Sequence, residues 1–132
     1  MTKNILGVVA GVAVWIAVVS VAGLILRLMW PAYAGVVDAM SFTLPMLVAR
    51  LSIGALATLA AGLTTATLAP GSMTPRLITG AVLLVAFIPV HVGLWDKFPV
   101  WYHLTFLLSL VPLTYAGGTL TVRRVAPDAV PQ

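Results

Sequence analysis

The side chains able to do chemistry are few, and they gather at one depth of the chain. Arg50 stands near the start of one apolar run, His91 about a turn before the end of another, and His103 about a turn into the next. Asp38 and Asp96 fall in the two connections beside them. Arginine is a permanent cation whose N–H donors suit a carboxylate or phosphate, and histidine changes charge near neutral pH. Arg50, His91, His103, Asp38 and Asp96 are therefore the candidate ligand or proton site. A plainer reading stands beside this one. Arg50 would carry its head to the phosphate level of a bilayer, and the histidines would be packing or interfacial residues.

Other chemistry is excluded by what is missing. The chain has no cysteine, which removes thiol catalysis, disulfide exchange and thiolate metal sites. There is no H-E-x-x-H, no phosphate loop and no acidic pair inside an apolar run. Ser20, Ser41, Ser52 and Ser109 have no base beside them in any recognisable pattern. Haem held between His91 and His103 is disfavoured, because the Asp96–Pro99 hairpin keeps their runs too close together. No catalytic residue, metal or cofactor is assigned.

The elements that must position these side chains are long and apolar. Ile5 to Leu26, Leu51 to Ala69, Leu77 to Trp95 and Phe98 to Val122 carry no Lys, Arg, Asp or Glu. About 20 mostly apolar residues cross the hydrocarbon core of a bilayer as a helix. The chain of 132 residues is 61% hydrophobic and 8% charged. A soluble domain shows about a quarter charged residues, so lipid is expected to be the solvent. Barrel strands alternate in polarity over roughly ten residues; these runs are apolar on every face. The expectation is one all-α membrane domain over 1–132, a four-helix bundle with helices at 4–29, 43–68, 76–95 and 100–123. The first run is too long for a secretory signal core and is read as a retained helix. Ala69-Pro70-Gly71-Ser72 ends the second helix and Pro75 starts the third. The mostly apolar stretch from Trp30 to Phe42 is expected to lie on the membrane surface with one short helical turn. The tail from Val125 is expected to fray.

Charge orients the bundle. Lys3, Arg76, Arg123 and Arg124 share one side, and Lys97 is the only loop cation opposite, apart from Arg27 and Arg50 at the border. The positive-inside bias then places both termini in the cytoplasm. The net charge of +4 comes from scattered residues with no basic cluster, so nucleic acid is not expected as a partner. Trp30, Tyr33, Phe42, Trp95, Phe98, Trp101 and Tyr102 all fall at the non-cytoplasmic border, a one-sided aromatic belt. Trp15 alone among the tryptophans lies mid-membrane.

Small residues suggest which faces pack. A stripe from Arg50 passes Gly54, Ala57, Ala61 and Thr64, and one from His103 passes Leu107, Leu110, Thr114 and Gly117. Small residues permit close helix approach in membranes, so Arg50 and His103 are expected to face neighbouring helices. His91 shares its stripe with Gly80 but also with Leu84, Phe87 and Ile88, which leaves its direction open. Gly7-xxx-Gly11 and Gly54-xxx-Thr58-xxx-Gly62 fit contacts inside the chain as well as dimerisation. Pro89 and Pro112 predict kinks.

The chain resembles a group of small four-helix bacterial membrane proteins. The resemblance rests on Ala49-Arg50, Leu68-Ala69-Pro70, Gly80, Trp95, Trp101-Tyr102, Pro112 and Gly117-Gly118-Thr119-Leu120 in that order. It implies a multi-pass protein of a bacterial inner membrane and offers no activity to carry over. Small multidrug exporters differ in carrying a carboxylate within helix 1, and quinone-linked thiol oxidoreductases need cysteines. The leading expectation is a non-catalytic accessory protein whose partners are the bilayer and a second copy or a larger membrane complex. The alternative is a small transporter or ligand-binding protein with an outward-facing Arg/His site.

Overall fold

The computed structural model describes residues 1–125, so the tail expected to fray lies largely outside the described residues. Within them the chain is helical throughout, with no strand: α1 (Thr2–Met29), α2 (Pro31–Ala34), α3 (Leu44–Leu68), α4 (Thr74–Gly93) and α5 (Val100–Val125). Four of these are long and apolar enough to cross a membrane. The expected boundaries shift by a residue or two. Thr43 caps α3 rather than joining it, and α4 spans Thr74–Gly93 instead of 76–95. Pro75 sits in the first turn of α4, where the missing N–H costs nothing. The single turn expected between Trp30 and Phe42 is α2. Gly71 turns the α3–α4 connection with φ of 82°, a conformation that side chains with a Cβ resist. Both α4 and α5 run on through their internal prolines, Pro89 and Pro112.

Helix α3 is the central element, packed most heavily against α5 and α1; α4 leans on α5, and the α1–α4 seam is slight. The parallel register of α3 and α5 is visible in successive contacts. Arg50 meets Tyr102 at a separation of 52 residues. A side chain at Gly54 would touch Phe106, and one at Gly62 would strike the Thr114 backbone. Gly117 lies as closely on the Leu59 backbone. On the other face of α3, Gly7 and Gly11 of α1 sit against Thr65, Ala61 and Ala69. The small-residue stripes are thus used inside the chain. Ala57 and Ala61 are fully buried as their spacing implied, but Thr65, not Thr64, continues the buried face.

Three helices are tied by threonine hydroxyls. Thr65 Oγ1 lies 3.1 Å from the Gly7 carbonyl and 3.0 Å from Thr79 Oγ1, joining α1, α3 and α4. Trp15 Nε1 donates to Thr58 Oγ1 at 3.0 Å, while Thr58 donates to the Gly54 carbonyl. Such interhelical bonds in membranes contribute about 0.6 kcal/mol on average. The outer faces are apolar: Ile16, Val21, Leu24, Leu56, Val85 and Leu108 are all more than half exposed. In water an apolar surface this continuous would drive association.

Candidate functional site

Burial along α1 ends at Trp15. Gly7, Gly11 and Trp15 are its only buried residues; beyond them Val18 and Val19 are half-buried against the core and the rest of the helix packs less closely. A half-open cavity of about 160 Å³ occupies the space this leaves. Trp15, Val19 and Gly23 form one wall, and Phe87, Val90 and His91 of α4 with Leu94 just beyond it form another. Arg50, Ile53 and Gly54 of α3 lie opposite, with Tyr33, Phe98, Tyr102 and Phe106 completing the lining. A Cβ at Gly23 would meet nothing within 4 Å, so the mouth beside α1 is unobstructed.

Arg50 reaches this cavity between two phenols. Its Nη1 donates to Tyr33 Oη at 2.8 Å and its Nε to Tyr102 Oη at 3.3 Å. Its guanidinium carbon lies 4.6 Å from the centre of the Phe42 ring. Cation–π contact of this kind gains when water is excluded. Tyr33 and Tyr102 are themselves buried. Because a guanidinium only donates, each phenol oxygen accepts from Arg50 and keeps its own O–H to offer elsewhere. A guanidinium has five N–H donors, of which these bonds use two. The arginine end of the cavity therefore presents donors and positive charge.

The aromatic belt forms the roof. Ring centroids run Trp30–Tyr33 6.1 Å, Tyr33–Phe42 5.3 Å, Phe42–Phe98 5.9 Å and Phe98–Tyr102 4.9 Å. Of the aromatic belt read from sequence, Trp30, Tyr33, Phe42, Phe98 and Tyr102 form one continuous stack beside Arg50, while Trp95 and Trp101 stay exposed.

The two histidines meet directly, with Nδ1 atoms 2.7 Å apart. His103 Nε2 lies 3.3 Å from the Trp95 carbonyl oxygen, and the Trp95 ring stacks on it at 4.7 Å. His103 is fully buried and His91 nearly so. Tyr102 links the halves of the site, bonding Arg50 while its ring stacks on His91 at 6.2 Å. Of the five residues singled out from sequence, Arg50 and His91 share the cavity, and His103 stands behind His91. Asp38 and Asp96 are exposed. Arg50 is bonded by Tyr33 and Tyr102 and by neither aspartate, because the belt tyrosines turn inward at the same depth. Those tyrosines were missed as ligands; the available signal was their position level with Arg50. No group of three or more metal-ligating side chains occurs among the described residues.

Arg76, read from sequence as a topology charge, is also buried. Its Nε donates to the Ser72 carbonyl at 3.3 Å, its stem fills the space left by Gly118, and its head lies 5.7 Å from the Tyr115 ring centre. No protein-family model, curated protein or solved structure matches this chain.

Proposed function

We propose that this chain is a multi-pass membrane protein that binds a small amphiphile with an anionic head. The observation that carries this reading is Arg50: a cation held by two phenols in an aromatic cavity, with no carboxylate among its bonded partners. A cation in such surroundings is expensive unless water, a headgroup or a partner meets it. An anionic oxygen there would receive the remaining Arg50 N–H groups and the free O–H of Tyr33 and Tyr102. The cavity sets the size of the apolar body. An engineered cavity of about 150 Å³ holds benzene, so about six carbons fit within 160 Å³. A longer chain leaves through the mouth beside Gly23.

The membrane is taken to be a bacterial inner membrane with both termini cytoplasmic, which turns the Arg50 end outward. Loop charge supports that orientation. Arg50, Tyr33, Tyr102 and His91 offer the cavity a cation and hydrogen-bonding groups, which supports binding or transport. An accessory role in a larger complex is the second reading. Its support is the uncovered second half of α1, where Val21, Leu24, Ile25 and Leu28 are exposed.

Calorimetric titration of the protein in lipid nanodiscs, with empty nanodiscs as baseline, separates the two. Hexanesulfonate should bind saturably and hexanol should not. Arg50→Leu should weaken hexanesulfonate at least tenfold, since hydrogen bonds to charged groups contribute about 1.5–3 kcal/mol. Hexanesulfonate that behaves alike in protein-loaded and empty nanodiscs would remove the ligand reading.

A further inference from the structure

Opposite Arg50, the cavity's other polar wall is His91, and the hydrogen bonds behind it determine where its protons sit. A carbonyl only accepts, so the contact between His103 Nε2 and the Trp95 oxygen places a hydrogen on His103 Nε2. In a neutral imidazole the other nitrogen is then a bare acceptor. His103 Nδ1 therefore accepts, and His91 Nδ1 donates across the 2.7 Å contact. The lone pair left over belongs to His91 Nε2. No described residue bonds this atom, and it is not among the sealed, unsatisfied polar atoms. His91 lines the cavity, so the neutral pair shows the cavity an acceptor.

Adding one proton reverses this. If His91 takes the charge, it keeps Nδ1–H towards His103 and gains Nε2–H. If His103 takes it, His103 donates from Nδ1, and His91 accepts there with its own hydrogen on Nε2. Both microstates leave His91 Nε2 a donor. A second proton would set two N–H groups against each other across 2.7 Å and break the contact. The pair thus has two states compatible with its geometry, and they differ at the cavity as acceptor against donor.

The groups facing His91 are few. Helix α5 contributes His103, Tyr102 and the Phe106 ring at 4.6 Å. Helix α3 contributes Arg50 across the cavity and α2 contributes Tyr33. Its own helix adds Phe87, and α1 supplies only Trp15, Val19 and Gly23. The cavity lining contains no carboxylate. An anion brought there meets a bare lone pair when the pair is neutral and a second donor when it is protonated.

We propose that the site takes up its anion together with one proton, which the His91–His103 pair holds. The inference rests on the anion-binding reading of the cavity. A negative charge beside the pair favours its protonated state, and by reciprocity the protonated pair favours the anion. Affinity is greatest where the free pair is already protonated. It falls by up to about tenfold per pH unit as pH rises, then levels off once the bound pair is also neutral. Anion plus proton leaves the site's net charge as it was with Arg50 alone.

Hexanesulfonate is the probe, because its head does not titrate in the range used and any proton taken up is held by the protein. Titrations in buffers of different ionisation enthalpy, across roughly pH 5 to 8 where histidine changes charge, count the protons. The expected result is uptake that approaches one proton per hexanesulfonate at its maximum. Replacing both rings, His91→Gln together with His103→Gln, should abolish uptake and flatten the pH profile, whatever affinity remains. Saturable binding by the unaltered protein with no uptake overturns the proton coupling and leaves the anion reading standing. No saturable binding at any pH overturns the anion reading itself. Uptake that persists in the doubly substituted protein places the proton elsewhere and overturns the proposal. A probe-free check is ¹⁵N NMR of the unliganded protein at high pH. His103 should be the Nε2–H tautomer and His91 the Nδ1–H tautomer; the reverse assignment overturns the derivation.

Discussion

Glycine-to-alanine substitution should have opposite signs at two positions, Gly62 and Gly23. At Gly62 an added Cβ would fall 2.8 Å from the Thr114 Cα and 2.7 Å from its carbonyl carbon. Carbon–carbon contact is optimal at about 3.5–4.0 Å, so α5 must withdraw from α3 by about 1 Å. Backbone has no rotamer by which to yield, which puts the cost near the upper end of the ~1–3 kcal/mol typical of overpacking. Alanine recovers about 1 kcal/mol of helix propensity over glycine, so the net loss is about 2 kcal/mol. At Gly23 nothing lies within 4 Å of the new methyl. The propensity gain then stands alone, and Gly23→Ala should stabilise by up to about 1 kcal/mol. The gap of about 3 kcal/mol is roughly two decades in the unfolding equilibrium. Gly117→Ala should resemble Gly62→Ala, since its Cβ would strike the Leu59 backbone. The double variant should cost less than the sum, because one separation of α3 from α5 clears both clashes. Reversible unfolding in mixed detergent micelles, followed by far-UV circular dichroism, measures all four. Equal stability of Gly62→Ala and Gly23→Ala would refute the close parallel packing of α3 on α5.

Further outcomes follow from single contacts. Trp15→Phe removes the donor to Thr58 and part of a buried ring, and should cost about 1–2 kcal/mol in the same assay; Thr58 stays satisfied by Gly54. Thr65→Val should cost about 1 kcal/mol through the lost ties to Gly7 and Thr79. Tyr33→Phe and Tyr102→Phe should each weaken hexanesulfonate several-fold by titration while leaving hexanol unaffected, a phenol bond contributing about 1 kcal/mol. A reporter active only after export, fused at Gln132, should stay silent, and activity there would reverse the orientation.

The helices were legible because hydrocarbon imposes one simple demand, a long uncharged run, and each expected helix formed within two residues of its expected bounds. The inward face of α3 was legible for Gly54, Ala57 and Ala61 because a 3.6-residue period follows a single groove. It failed at Thr64 because α3 contacts several helices and its buried face widens; Thr65 turns to α1 and α4 while Thr64 bonds only the Ala60 carbonyl on its own helix. The phenols around Arg50 were not legible as partners. They lie 17 and 52 residues away, and a tyrosine at a membrane border has the same sequence signature whether it faces headgroups or a buried cation. The meeting of His91 and His103 was half legible. The hairpin gave their equal depth, but their facing rings depend on how α4 rotates against α5. Arg76 misled for a related reason: a terminal arginine reads as a topology charge, and only Gly118 across the interface makes room to bury it.

The central claim is that an anion's head sits at Arg50 with its apolar body in the cavity below. Trp15 supplies the direct test, because it lines that cavity about two turns along α3 from Arg50, at the level of Thr58. In a protein whose Trp30, Trp95 and Trp101 are replaced by Phe, 6-bromohexanesulfonate should quench Trp15 fluorescence saturably, and Arg50→Leu should shift the midpoint at least tenfold. Quenching that rises without saturation, or that ignores the loss of Arg50, would show that the bromine reaches Trp15 from the surrounding lipid and would contradict the account.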